Sequence, residues 1–186
     1  MAVDPKRHRF TRDEYHRMGR SGILTPDARV ELIDGDIVEM SPIGRRHNSR
    51  VDWCNDTLIR KLGGAAIVRV QGSIVLDDNG EPEPDLVVLR RRADFYADAD
   101  ATPADVLLII EVADSSEAYD RRTKAPLYAR HGIPELWIVD LPRDRITRYV
   151  DPTPGGYATT QVFRRGESLS PLAFPALIID AGDLLG

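Results

Sequence analysis

Two carboxylates and one ammonium stand out in this sequence because of where they fall. Asp85 follows Pro84 and heads the apolar run Leu86-Val87-Val88-Leu89. Glu111 sits near the end of Val106-Leu107-Leu108-Ile109-Ile110-Glu111-Val112. Lys124 follows shortly, in Asp120-Arg121-Arg122-Thr123-Lys124. Runs this rich in Ile, Leu and Val read as strands buried on both faces. A carboxylate in such a strand needs compensation, because an unpaired buried charge is very costly. Two carboxylates at neighbouring strand ends repel unless a cation lies between them. A hard divalent ion, which takes oxygen ligands, suits that place. The lysine is informative too. The chain has only Lys6, Lys61 and Lys124 among 25 basic residues, so it writes arginine where any cation suffices. A lysine beside Arg121-Arg122 marks a position that wants a compact ammonium rather than a planar fork.

The elements that must carry these residues are legible. Thr11-Arg12-Asp13-Glu14 is a capping box opening a helix toward Arg20, with Gly22 and Pro26 beyond its end. Residues 30–40 alternate around Asp34-Gly35, a tight hairpin signal. After Ser41-Pro42 a helix runs to Leu62, with Val51, Cys54, Leu58 and Leu62 on one face and Gly63-Gly64 as terminator. Residues 66–70 and 73–76 read as one strand broken at Gly72. Leu86 to Leu89 and Leu107 to Val112 are the central strands. Lys124 to Arg130 is a helix stopped by Gly132. Thr123 as its N-cap would leave Pro126 harmless in the first turn; an earlier start would force a kink. Glu135 to Asp140 is another buried strand, and 145–150 with 157–164 make a closing hairpin. Helices between apolar strands give an α/β fold with a mixed sheet, in one domain spanning 1–186.

Composition narrows the function. A chain of 186 residues, 42% hydrophobic and 30% charged, is ordinary for a globular domain. No apolar run approaches membrane-spanning length, and residues 1–10 lack an apolar signal core, so a cytoplasmic setting is expected. Cys54 is the single cysteine and reads as a small core residue. A net charge of −5 argues against coating nucleic acid through a broad basic face, though not against a catalytic cleft. The clusters Arg45-Arg46 with Arg50, Arg90-Arg91-Arg92, and Arg121-Arg122 read first as solvated faces and second as phosphate contacts.

The order of these motifs resembles the PD-(D/E)XK nuclease superfamily. It is most similar to a bacterial restriction-endonuclease-like family long described as a domain of unknown function. The resemblance rests on Glu31-Leu32-Ile33-Asp34-Gly35-Asp36-Ile37, Met40-Ser41-Pro42, His47, Pro84-Asp85-Leu86-Val87-Val88 and Glu111-Val112-Ala113-Asp114-Ser115-Ser116. It continues through Tyr119 to Lys124, Tyr128-Ala129 and Gly132 to Asp140, and so covers nearly the whole chain. It implies a restriction-endonuclease-like mixed central sheet flanked by helices, with terminal β-hairpins. It also implies phosphodiester hydrolysis, in DNA, by a homodimer using Mg²⁺ or Mn²⁺. Asp85 and Glu111 would hold the metal, with the backbone carbonyl of Val112 as a further ligand. Lys124 would orient water or neutralise phosphate charge, and Glu31 would add a third carboxylate. The superfamily pattern has its lysine two residues after the Glu. Here that residue is Ala113, and the resemblance moves the role to Lys124.

Plainer readings stand beside these. Asp85 is also a natural strand-start residue, and Glu111 with Lys124 would make a sensible buried ion pair. Glu31 reads equally as an exposed strand residue. His47 reads first as a surface or capping histidine and second as facing the site from the long helix, and Tyr119 and Tyr128 read as packing residues. The alternative function is a nuclease-fold binding module without turnover, which Ala113 and the acidic charge favour. A hydrolase of small phosphoesters is a third, weaker reading.

Overall fold

The structure, a computed structural model, describes residues 7–40 and 44–186. Ser41-Pro42, named above before the long helix, lies outside the described residues. A six-stranded sheet forms the centre, in the order β3 (Ala66–Val70), β4 (Leu86–Arg90), β5 (Val106–Ala113), β6 (Glu135–Asp140), β7 (Arg145–Thr153), β8 (Gly156–Phe163). All neighbours pair antiparallel except β5 and β6, which are parallel, so the sheet is mixed. The parallel pair needs a crossover, and the helical segment 117–130 provides it.

Two cores lie on the two faces. One packs α2 (Arg45–Leu62) and the C-terminal α5 (Ala181–Leu185) against Leu86, Val88, Leu108, Ile110 and Val112. The other packs α4 (Ala125–Arg130) and the hairpin of β1 (Val30–Ile33) and β2 (Asp36–Glu39) against Val87, Leu89, Ile109 and Ala113. Alternate strand residues point to opposite faces. Asp85 and Glu111, in phase with Val87 and Ile109, therefore fall on the α4 side. Glu31, two residues before Ile33, points to the same layer.

A register shift in the β4–β5 ladder makes this phase possible. Leu89 pairs with Val106 but Val88 pairs with Leu108, leaving Leu107 as an extra residue. Val106 and Leu108, both even-numbered, consequently pack in opposite cores. A one-residue slip flips every later side chain to the other face. Without the bulge Glu111 would point toward α2.

The N-terminal helix α1 (Arg12–Arg20) has the expected capping box from Thr11 and Glu14. The hairpin turns at Asp34 (φ 50) and Gly35 (φ 79), the double positive φ that a two-residue turn of matching twist requires. Two expectations need correction. Residues 73–76 are not a continuation of β3. Gln71 takes φ 46 and turns the chain away, and 73–76 run beside Gly80, Pro82 and Ala101 instead. Thr123 is not an N-cap either. The helical segment begins at α3 (Glu117–Tyr119), after Ser116, and reaches α4 through a π-helical turn, Asp120–Lys124. Ala125 donates to the Asp120 carbonyl, five residues back. This wider turn accommodates Pro126, which has no N–H and in a regular α-helix clashes with the carbonyl four residues before it.

Candidate functional site

The cleft that joins the sequence-predicted residues opens at the end of the sheet where β4 begins and β5 finishes. Its volume is about 460 Å³, and Glu31, Asp85, Glu111 and Lys124 all line it. All four are at most 9% exposed. Of the two readings of Glu31 the exposed one is therefore wrong: its phase with Ile33 turns it inward, into the cleft.

Lys124 sits between two acids. Its Nζ is 3.2 Å from Glu31 Oε2 and 3.3 Å from Glu111 Oε1. Glu31 Oε2 also accepts the Glu83 backbone N–H at 3.2 Å, tying the hairpin to the chain that leads into β4. Asp85 Oδ2 accepts the Val112 N–H at 2.8 Å, crossing from β4 to β5, and lies 3.1 Å from His47 Nε2. The Asp85 N–H in turn points at Glu111 Oε2, 3.4 Å away. Asp120, on the π-helical turn, is 3% exposed and accepts a 2.7 Å bond from the Ser116 hydroxyl.

Three carboxylates, Glu31, Glu111 and Asp120, thus act on a single lysine, with Asp85 beside Glu111, and the charges respond. Burial pushes Glu111 up to about 8; Lys124 opposes that, while Asp120, Asp85 and Glu31 add to it. Burial likewise raises Asp120 to about 6, with Lys124 and the Ser116 hydroxyl opposing. Burial works against the Lys124 ammonium, but Glu111, Glu31 and Asp120 outweigh it and hold the lysine protonated well above its usual range. His47 is raised by its hydrogen bond to Asp85, against its own partial burial.

This donor set, all oxygen and rich in negative charge, has the chemistry of a hard divalent cation site. Among the described residues no group of three or more acid, histidine or cysteine side chains is arranged to cage an ion. Two carboxylates flanked by solvent-accessible space are the commoner Mg²⁺ arrangement, the remaining ligands being water and phosphate oxygens.

Two contributors had plainer first readings. Tyr128, expected to pack only, donates its hydroxyl to Glu111 Oε1 at 2.7 Å. Its spacing of four residues from Lys124 was the available signal, since both then share one helical face. His47, read first as a surface or capping residue and second as facing the site, does face the cleft. It lies one turn before Val51 on the same apolar stripe of α2, which was the signal for it. Tyr119 lines the cleft, and its buried hydroxyl has no partner among the described residues. Cys54, fully buried, belongs to the core as expected, and burial raises its thiol to about 12. Of the arginine clusters, Arg46 bonds Asp114 and the Leu141 carbonyl, and Arg121 bonds Glu117.

A family profile described as "Putative restriction endonuclease" (Uma2) matches residues 12–182. Among solved structures, the chain is similar to a "putative nuclease belonging to DUF820" from Anabaena variabilis. The two share 18% identity, with 95% of this chain and 97% of that one aligned at a TM-score of 0.73. At that identity the likeness speaks for the fold. No curated protein matches the chain. Among the described residues, no helix is long and apolar enough to cross a membrane.

Proposed function

The chain belongs to the Uma2 family, described as "Putative restriction endonuclease", and from that membership we propose that it is a nuclease hydrolysing phosphodiester bonds in DNA with Mg²⁺ or Mn²⁺. The observation that carries this reading is the convergence of Glu31, Asp85, Glu111 and Lys124 in one cleft, where Lys124 pairs with Glu31 and Glu111. The whole of 1–186 is taken as one restriction-endonuclease-like domain.

Asp85 and Glu111 would hold the cation, with the Val112 carbonyl as a further ligand. When bound, the cation supplies Lewis acidity, drawing charge from a phosphate and acidifying water. The chain does the rest. Lys124, held protonated and aimed into the cleft by Glu31 and Glu111, donates to the attacking water or to a phosphate oxygen as charge builds there. Glu31 keeps that ammonium in place. The low exposure of all four groups strengthens each electrostatic contact. In the reaction the water oxygen forms a bond to phosphorus and gives up a proton, the ester P–O bond breaks, and the leaving oxygen takes a proton, so that one water is consumed in all.

A second reading keeps the fold and loses turnover. Ala113 at the superfamily's lysine position, and a Lys124 already paired with two acids, favour it. The two separate in one experiment. Plasmid and linear DNA are incubated with Mg²⁺ or Mn²⁺, using Glu111→Gln as control. The nuclease reading expects cleavage by the wild type and only background from the variant. DNA bound but intact under both metals makes the chain a binding module.

The same reading includes a cytoplasmic setting and a homodimer. A tagged copy found only in the cell envelope fraction would contradict the first. For the second, β8 is an edge strand that pairs on one side only among the described residues, where another copy could add.

A further inference from the structure

Each of the two acids read as ligands has one oxygen anchored and one left available. Glu111 Oε1 is engaged twice, by the Tyr128 hydroxyl at 2.7 Å and by Lys124 at 3.3 Å. Among the described residues Oε2 meets only the long contact from the Asp85 N–H at 3.4 Å. In Asp85, Oδ2 carries the Val112 N–H and His47, and among the described residues no donor reaches Oδ1. The shorter anchor on Glu111 is the tyrosine. Tyr128 is fully buried, so its hydroxyl has no water to turn to. It belongs to the core that α4 makes with the sheet, together with Ala125 and Leu127.

We propose that Tyr128 is a positioning residue. By holding Glu111 Oε1 it fixes the carboxylate rotation that turns Oε2 toward Asp85 and a shared divalent cation. Lys124 alone cannot do this. Its ammonium is a point charge shared with Glu31, and a role at the phosphate draws it away from Glu111. The hydroxyl is a directional donor with one partner. Groups that orient a ligating carboxylate in this way are general features of metal sites. The inference rests on the reading of Asp85 and Glu111 as ligands.

Tyr128→Phe removes one oxygen and keeps the ring in the core. The test is Mn²⁺ binding by calorimetry, without DNA. The dissociation constant should rise about 10–100-fold. The Mn²⁺ concentration giving half-maximal DNA cleavage should rise with it, while the rate at saturating Mn²⁺ changes far less. Tyr157→Phe is the control. That tyrosine also bonds a buried partner, the Ile133 carbonyl, but lies outside the site, and its loss should leave Mn²⁺ affinity unchanged. Wild-type affinity in Tyr128→Phe overturns the proposal and leaves the metal site standing. A wild type that binds no Mn²⁺ overturns both. If Tyr128→Phe does not fold, the wild type still decides. The shielded Tyr128 hydroxyl proton should shift in proton NMR as Mg²⁺ is added, and a resonance indifferent to Mg²⁺ counts against the role.

Discussion

Glu111 and Lys124 show how much a single residue's meaning depends on its neighbours. Each had a plain reading as half of an ion pair, and the ion pair exists. What exceeds it is the surplus of acid: Glu31 also pairs with the lysine, Asp120 acts on it, and Asp85 lies beside Glu111. The surplus makes stability depend on pH. The folded-state pKa of Glu111, about 8, lies above its ordinary 4.5, chiefly through burial. A carboxyl raised in this way binds its proton more tightly folded than unfolded. Its contribution is therefore complete at acid pH and is lost as pH rises from about 4.5 through about 8. In metal chelator, the melting temperature should fall over that range. Added Mn²⁺ at pH 8 should restore it, because only the ionised carboxylate binds metal. For a weak site near saturation the gain is about 1 kcal/mol, or about 2–4 °C for a domain of this size. Glu111→Gln should start as high as the wild type or higher, and should not respond to Mn²⁺. A wild type unmoved by Mn²⁺ up to about tens of millimolar reduces the acids to an ion-pair cluster with Lys124, and the binding-module reading takes over.

At the scale of elements, the site is assembled from a hairpin, two strand ends and one irregular helical segment. Most of these were legible locally. Asp34-Gly35 announced the hairpin, the apolar runs announced β4 and β5, and the stripe from Val51 to Leu62 announced α2. The irregularities were not. Nothing in Leu107-Leu108 distinguishes a bulged residue from a paired one, because every side chain in the run is equally apolar. Pro126 did signal trouble in its helix. Whether the chain would start late or widen a turn depended on where Lys124 had to point. The hairpin gives a test at this scale. Gly35 has φ 79, and a Cβ there would lie 2.6 Å from Arg9 Cβ and 3.0 Å from its Cα. Gly35→Ala should lower stability by more than about 1 kcal/mol in urea unfolding. It should also weaken the Mn²⁺ response, since β1 delivers Glu31. An unchanged unfolding midpoint would show that the turn tolerates a side chain.

For the whole molecule, the homodimer reading turns on β8, one of the two edge strands of the sheet. Residues Gly156–Phe163 carry no charge and no proline, and Val162 is 45% exposed. Proteins usually blunt such edges with charge or proline. Antiparallel pairing of β8 with its own copy would set no like charges opposite each other, and its central threonines suit cross-strand contact. The homodimer reading therefore expects sedimentation at twice the 20.8 kDa chain mass, and Val162→Lys should shift it toward one chain. A wild type that sediments as a single chain ends that reading.

The order of motifs along the chain was enough to determine the α/β class, the mixed sheet and the family. It also singled out Asp85, Glu111 and Lys124, because a charge in an apolar strand is visible one-dimensionally as a cost lacking compensation. Tertiary structure alone decided the face on which each acid lands, since the phase of β5 turns on one bulged residue. It alone made Glu31 an inward group, by docking the hairpin over the α4 layer. It also gave His47 and Tyr128 their partners. A hydrogen bond between residues 38 positions apart, as from His47 to Asp85, leaves no trace in either residue's local pattern. It arises only once the sheet brings the ends of β4 and β5 beneath the helices that flank them.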